Sequence, residues 1–204
     1  MPFGTVWINL PASFAPFLLR DVLGSLVTNN PCLRLDVVAT DRLIDIVEEG
    51  FDARGRFGEV VSRDMVAVRI KPAQALAVVS SHDYLDRHPA PGPPGTSDTT
   101  SEAGTASPGG RIANWRFERN VEAIEVEVNG PLTLDHQELT VEAAQNGAGL
   151  AYVWEDRARL YLDADTLRRC LENWCPVRDD LFLCYPSRRY VSGGLRVLID
   201  RLKA

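Results

Sequence analysis

The first residues whose types and spacing suggest chemistry are Leu10-Pro11-Ala12-Ser13. They join an apolar run, Thr5 to Leu10, to a stretch in which Leu18, Leu19, Val22, Leu23 and Leu26 recur at helical spacing. A strand that enters a helix through a short turn leaves unbonded N–H groups and the positive end of the helix dipole at the junction, which suits an anion. The amides after Ser13 are therefore candidate anion donors. Ser13 is also a good N-cap, and a hydroxyl that only caps its helix is the plainer reading. The other reactive residue types make no pattern. Neither His82 nor His88 has an acid or thiol at a catalytic spacing, so both are expected at the surface. Cys32, Cys170, Cys175 and Cys184 show no CxxC spacing and are expected as free thiols in a reducing compartment, without zinc. The isolated serines lack a base. No enzyme chemistry, cofactor or metal is expected.

The elements that must hold this junction follow from composition and periodicity. With 204 residues, 45% hydrophobic and 25% charged, the chain is long enough for one large core or two small ones without staples. A formal net charge of -6 and a pI near 5.1 provide no electrostatic footprint for nucleic acid. No apolar run approaches a membrane span, and the N-terminus lacks the pattern of an export signal, so a cytoplasmic location is expected.

The first helix, over 14–28, carries Pro16 in its first turn and stops at Asn29-Asn30-Pro31. Leu33, Leu35 and Val37 alternate as a second strand, and Thr40-Asp41 offers an N-cap for a helix over 42–49 that closes at Gly50. Strands are expected at 51–59, 65–70 and 74–80, and a helix capped by Ser81 runs to Arg87. The run 88–110 has no large apolar residue and is dense in Gly, Pro, Ser and Thr, the composition of a mobile loop or linker. Beyond it an antiparallel pair is expected at 115–119 and 124–128. Asp135-His136-Gln137-Glu138 then forms a capping box for a helix that stops at Gly147. A buried strand at 149–153, a helix at 156–162, strands at 167–171 and 181–185 and a final helix capped by Ser192 complete the chain. The alternation predicts an α/β fold with a mostly parallel sheet.

Several of these runs carry a resemblance. INLPASFAPFLLRDVL, LDVVATDRLIDIVEEGFDA, RDMVAVRI, ALAVVSSHDYLDRHPAP, NWRFER, VNGPLTLDHQEL, NGAGLAYV and CLENWCP followed by LFLCYPSRR occur between Gly4 and Leu202. Together they resemble the effector-binding, or substrate-binding, domain of LysR-type transcriptional regulators. The resemblance implies a fold like the type 2 periplasmic binding proteins, with two α/β subdomains and a ligand cleft between them. Its subdomain I is 4–80, subdomain II is 81–180 with the polar loop 88–110, and 181–204 returns to subdomain I. It further implies that Pro11, Ala12, Ser13, Arg56, Asp135 and His136 contact a small-molecule effector, most readily a small anion, with Arg56 there to bind and not to pack. A homodimer through subdomain I is implied as well.

Departures from the family pattern qualify the resemblance. No winged helix-turn-helix precedes Gly4, so direct DNA binding by this chain is not expected. Arg54-Gly55-Arg56-Phe57 has a cation where the family usually has a buried aliphatic residue. The segment 95–110 lacks the Asp-Leu, His and Arg-Phe-Pro that the family pattern implies before Gly110-Arg111. Common GC-rich codons read from the third base turn Thr96-Ser97 into Asp-Leu and Thr105-Ala106-Ser107-Pro108 into His-Arg-Phe-Pro. The hypothesis for this segment is a pair of compensating frameshifts, and an unbroken matching frame in close relatives would sink it. A free-standing cytoplasmic solute-binding module not directly involved in transcription is the alternative reading of the whole chain.

Overall fold

A computed structural model describes residues 4–40, 48–57, 64–88, 91–94, 104–105, 114–120, 122–128, 130–178, 180–187 and 191–203. The chain divides into two compact units, Met1–Ala73 with Asp179–Ala204, and Gln74–Arg178.

In the first unit, β1 (Gly4–Leu10) leads into α1 (Ala15–Leu18), a π-helical segment (Leu19–Leu23) and α2 (Gly24–Asn29). β2 (Leu33–Ala39), β3 (Ala53–Phe57) and β4 (Met65–Lys71) follow. The helix expected over 42–49 falls mostly on 41–47, outside the described residues. The expected stripe on the first helix is interrupted by the π segment, where Gly24 N–H reaches back five residues to the Leu19 carbonyl. The wider turn leaves Leu18, Leu23 and Leu26 buried but turns Leu19 out to 59% exposure.

The second unit begins with β5 (Gln74–Ser80) and α3 (His82–Arg87), followed by β6 (Gly104–Thr105), β7 (Trp115–Arg119), β8 (Glu122–Val126) and β9 (Thr133–Leu134). It ends with α4 (Gln137–Gln145), β10 (Ala151–Trp154), α5 (Glu155–Asp163), β11 (Arg168–Cys170) and β12 (Val177–Arg178). The chain then returns to the first unit through β13 (Leu181–Pro186) and α6 (Gly193–Lys203).

The first unit's sheet has the order β2-β1-β3-β13-β4. β1 is parallel to β2 and β3, and β13 runs antiparallel to both β3 and β4. As its apolar run suggests, 181–185 is an interior strand. Val6, Ile8 and Leu10 of β1 are fully buried in one core with Leu18, Leu23, Leu26, Leu183, Leu195 and Leu198. Ser192 Oγ accepts from the Leu195 amide at 3.2 Å, as expected of the final cap.

The expectation of a mostly parallel sheet fails in the second unit. Its sheet has the order β10-β5-β11, with β12 also on β5, and every pairing is antiparallel. β10, α5 and β11 form a strand–helix–strand crossover that straddles β5, so the strand between them runs the opposite way. Apolar periodicity reports a strand but not its direction. The same ladders correct the expected boundary at 80/81, because every partner of β5 lies in the second unit and draws 74–80 with them. β5 is covered on both faces: Ala77 and Val79 pack with Val141, Ala144 and Val153, while Val78 packs with Trp115, Phe117 and Leu150. The expected antiparallel pair forms as β7–β8, with Trp115 opposite Val126, but its second strand starts and ends two residues earlier than the expected 124–128.

Ser81 caps α3, its Oγ accepting from the Tyr84 amide at 3.3 Å. His82 and His88 are both part-exposed. His88 stacks on Tyr84 with ring centroids 4.2 Å apart, and His82 Nε2 lies 3.3 Å from Asp165 Oδ1. The polar run 88–110 falls mostly outside the described residues, although Gly104–Thr105 within it pairs parallel with β9.

Candidate functional site

β4 is parallel to β1 and β3, because each flanks or leads to the antiparallel β13. The carboxyl ends of all three strands, at Leu10, Phe57 and Lys71, therefore lie along one edge of the first unit's sheet. Open α/β sheets present ligands with this edge. Pro11, Ala12 and Ser13 leave β1 there, Pro11 buried and the other two half-buried.

The turn is built differently from the expected cap. The Pro11 carbonyl accepts from both the Phe14 amide, at 2.9 Å, and the Ala15 amide, at 3.1 Å. Two of the amides expected to face an anion are thus engaged by backbone. α1 begins at Ala15, Phe14 occupies the N-cap position and no side chain caps that end, so Ser13 stands one residue too early to do so. Gly55 lies directly beneath this turn: a Cβ there would be 2.9 Å from Pro11 Cδ and 3.1 Å from Leu10 Cδ2.

Arg56 is 8% exposed, and its Nη1 donates to the Gly55 carbonyl at 3.2 Å. On β3 it stands opposite Phe182, and Arg54 stands opposite Cys184. Burial pushes the Cys184 thiol above its usual range, while the guanidiniums of Arg54 and Arg56 pull it the other way. Arg56 packs, contrary to the expectation that it only binds.

Sequence reasoning missed a group of aromatic residues at the same strand ends. Phe14 meets Phe57 edge to face, with centroids 5.4 Å apart and an interplanar angle of 75°. Lys71 Nζ lies 3.9 Å from the Phe17 ring centroid and 6.0 Å from that of Phe14. Only the i, i+3 spacing of Phe14 and Phe17 could have hinted at a shared face. Asn9, one residue before the end of β1, is fully buried, its amide donating to the Val38 carbonyl at 3.2 Å.

In the second unit, Asp135 and His136 are both exposed. The capping box does not form, because α4 starts one residue later than expected, with His136 as N-cap and no side-chain cap bond. The His136 carbonyl accepts the first helical bond from the Thr140 amide at 3.0 Å. Glu138 is held instead by His136 Nδ1 at 2.9 Å and Arg157 Nη1 at 3.2 Å. This unit also contains a cavity of about 60 Å³ lined by Glu155, Arg169, Cys170, Glu172 and Cys175 among others. Arg169 and Glu155 pair across its wall at 2.6 Å. Metabolite pockets usually hold roughly 300–1,000 Å³, so this space is too small for one. Among the described residues, no group of three His, Cys, Asp or Glu side chains could hold a metal ion.

The family model described as the LysR substrate binding domain matches residues 2–204. The chain is 32% identical over 202 residues to the uncharacterized HTH-type transcriptional regulator YcaN of Escherichia coli K12, and 30% identical over 203 residues to the HTH-type transcriptional regulator PgrR of the same organism. Each alignment covers 99% of this chain, with 66% of YcaN and 68% of PgrR, so the chain spans about two thirds of these relatives. Among solved structures, the regulatory domain of AphB from Vibrio vulnificus superposes with a TM-score of 0.83 at 16% identity, covering 98% of this chain and 99% of that one. The regulatory domain of CrgA, a LysR-type transcriptional regulator from Neisseria meningitidis, superposes with a TM-score of 0.81 at 20% identity, covering 98% of both chains.

Proposed function

The chain belongs to the LysR substrate-binding domain family, with the periplasmic-binding-protein type 2-like fold of LysR regulatory domains, and from this we propose that it is the effector-sensing part of a LysR-type transcriptional regulator. The effector is a small metabolite, most readily an anion. Pro11, Ala12, Ser13 and Arg56 are its contacts in the first unit, and Asp135 and His136 its contacts in the second. The observation that carries this reading is the convergence of β1, β3 and β4 at one sheet edge, with the Pro11–Ser13 turn lying on it. The relatives named above are transcriptional regulators, which points away from catalysis.

The protein acts in the cytoplasm, as a homodimer, and reaches DNA only through a winged helix-turn-helix. A net charge of -6 gives this chain none of the positive field that duplex DNA rewards. No described helix is long and apolar enough to cross a membrane. The leucine that the π segment turns outward, Leu19, offers apolar surface for self-association.

The test is a thermal-shift screen of the chain against small carboxylates, their amides and neutral sugars. A ligand at about 100 times its Kd adds roughly 2.7 kcal/mol to the folded state, a shift that is easily read. Dose-dependent stabilisation by a subset of the carboxylates is expected. Stabilisation by sugars alone would remove the anionic effector, and a flat response to every class would remove the sensing role.

A further inference from the structure

We propose that Cys170 and Cys175 are a redox pair, which hydrogen peroxide joins in a reversible disulfide that fixes the loop between them against β5. Both thiols are free in this structure, and both line the cavity of about 60 Å³ in the second unit. Cys170 is buried in the core around Val78, and Cys175 packs against that same core. The ladders on β5 bring them together. Cys170 stands opposite Val78 and Val177 opposite Ala75, while the Leu76 amide donates to the Pro176 carbonyl. Cys175 is thus level with Ala77, on the rung beside Cys170, and residues 171–174 bulge out between them. Adjacent rungs are about 3.4 Å apart and a disulfide spans Cα separations of roughly 4.4–6.8 Å, so the bond can form without either strand leaving β5.

The cavity has room for hydrogen peroxide, since one water needs only about 10–15 Å³. Burial raises the Cys175 thiol as it does that of Cys170, but the Val78 amide and the Arg169 guanidinium work against the rise. Cys175 is also the less buried of the two, which makes it the attacking sulfur. Its thiolate bonds to one peroxide oxygen, the O–O bond breaks, and the hydroxide that leaves takes up a proton to become water. The Cys170 sulfur then attacks the Cys175 sulfenic acid and gives up its proton as the S–S bond forms. The S–O bond breaks and a second water leaves, so two electrons have passed from the thiols to the peroxide. The loop that the bond closes begins at Leu171 in the left-handed region, φ 55°, and continues as a 3-10 turn over Glu172–Trp174. The Trp174 ring lies 5.1 Å from the Arg119 guanidinium at the end of β7, so fixing the loop also firms its contact with that strand.

The test is peptide mapping of the whole wild-type chain after treatment with hydrogen peroxide, unfolding and alkylation. Trypsin leaves both cysteines in one peptide, Cys170–Arg178, so a bridge makes that peptide lighter by two hydrogens and closes both sulfurs to alkylation. Dithiothreitol should restore both alkylation sites. In Cys170→Ser the reaction should stop at a Cys175 sulfenic acid, which dimedone captures, and matching melting curves before treatment show that the fold is kept. Should Cys170→Ser shift that curve, Cys170→Ala makes the same comparison. Amide exchange over 171–174 should slow in the oxidised wild type. Free alkylation of both cysteines after treatment, oxidation of either onward to a sulfonic acid without a bridge, or a bridge from either to Cys32 overturns the pair. Unchanged exchange in the bridged chain overturns its effect on the loop.

Discussion

Gly55 and Pro11 share a space that no side chain larger than hydrogen could enter, since a Cβ on Gly55 would lie 2.9 Å from Pro11 Cδ. Pro11 is itself fixed by the two amides its carbonyl receives, so it has little room to retreat. Gly55→Ala should lower stability by about 1–3 kcal/mol, as overpacking does. The measurement is a denaturant midpoint, and an unchanged midpoint would show that the turn yields freely. Because the strain falls on the β1–α1 turn, any effector bound there should also bind more weakly to the variant.

Arg56→Ala should be destabilising in its own right, by about 2–5 kcal/mol, the usual range for truncating a large buried side chain. Arg56→Met retains most of the volume and should cost less. Ligand affinity of these variants has to be read well below their melting temperatures, where loss of binding and loss of fold separate. Equal stability of wild type and Arg56→Ala would contradict the burial of this residue.

Two neighbouring glycines of α6 make a paired comparison. A Cβ on Gly194 would be 2.6 Å from Val6 Cγ2 and 2.7 Å from Leu33 Cδ1, whereas one on Gly193 meets nothing within 4 Å. Gly193→Ala should be neutral or stabilising by up to about 1 kcal/mol through helix propensity. Gly194→Ala should lift the helix from β1 and cost at least about 1–3 kcal/mol. Similar melting temperatures for the two variants would show that α6 does not dock through Gly194.

Burial pushes the Cys170 thiol from its ordinary 9.0 up to about 11, with Arg168 pulling it down and Cys175 and Glu172 adding to the rise. A raised pKa means the folded chain holds this proton more tightly than the unfolded chain. The stabilising contribution is therefore complete below pH 9 and lost as pH climbs from there through about 11. Melting temperature should fall over that window, and Cys170→Ala should flatten the fall in part, since Cys175 and Cys184 are raised in the same direction. Identical slopes in the two proteins would remove Cys170 as a contributor.

Leu19→Lys replaces a side chain that is 59% exposed and should leave monomer stability within about 0.5 kcal/mol of wild type. If Leu19 lies in the proposed homodimer, the same change should shift sedimentation at tens of micromolar towards monomer. A dimer that survives the added charge would place the interface elsewhere.

The sequence carried the local decisions of this fold and few of the distant ones. Ser81 and Ser192 cap the helices their positions suggest, and the apolar density of 181–185 marks a strand walled in on both sides, because each is decided within a few residues. Strand direction in the second unit was hidden, since an alternating pattern reads the same both ways along a ladder. The first turn misled for a narrower reason: a proline carbonyl can satisfy the amides that a serine hydroxyl would, and nothing in PASF says which does. Arg54-Gly55-Arg56 looks like an open basic strand, yet one of its guanidiniums is buried. The cluster of Phe14, Phe17, Phe57 and Lys71 depends on a parallel edge assembled from residues far apart in the chain, and no local spacing records it.

β13 fills the slot between β3 and β4, so the sheet begun at residue 4 is closed only when residues 181–186 arrive. During synthesis the second unit, continuous from Gln74 to Arg178, is complete first. The earlier strands must wait with two unpaired edges, a hazard for a nascent chain. The first unit's sheet therefore cannot be completed until the whole of the second unit has been made.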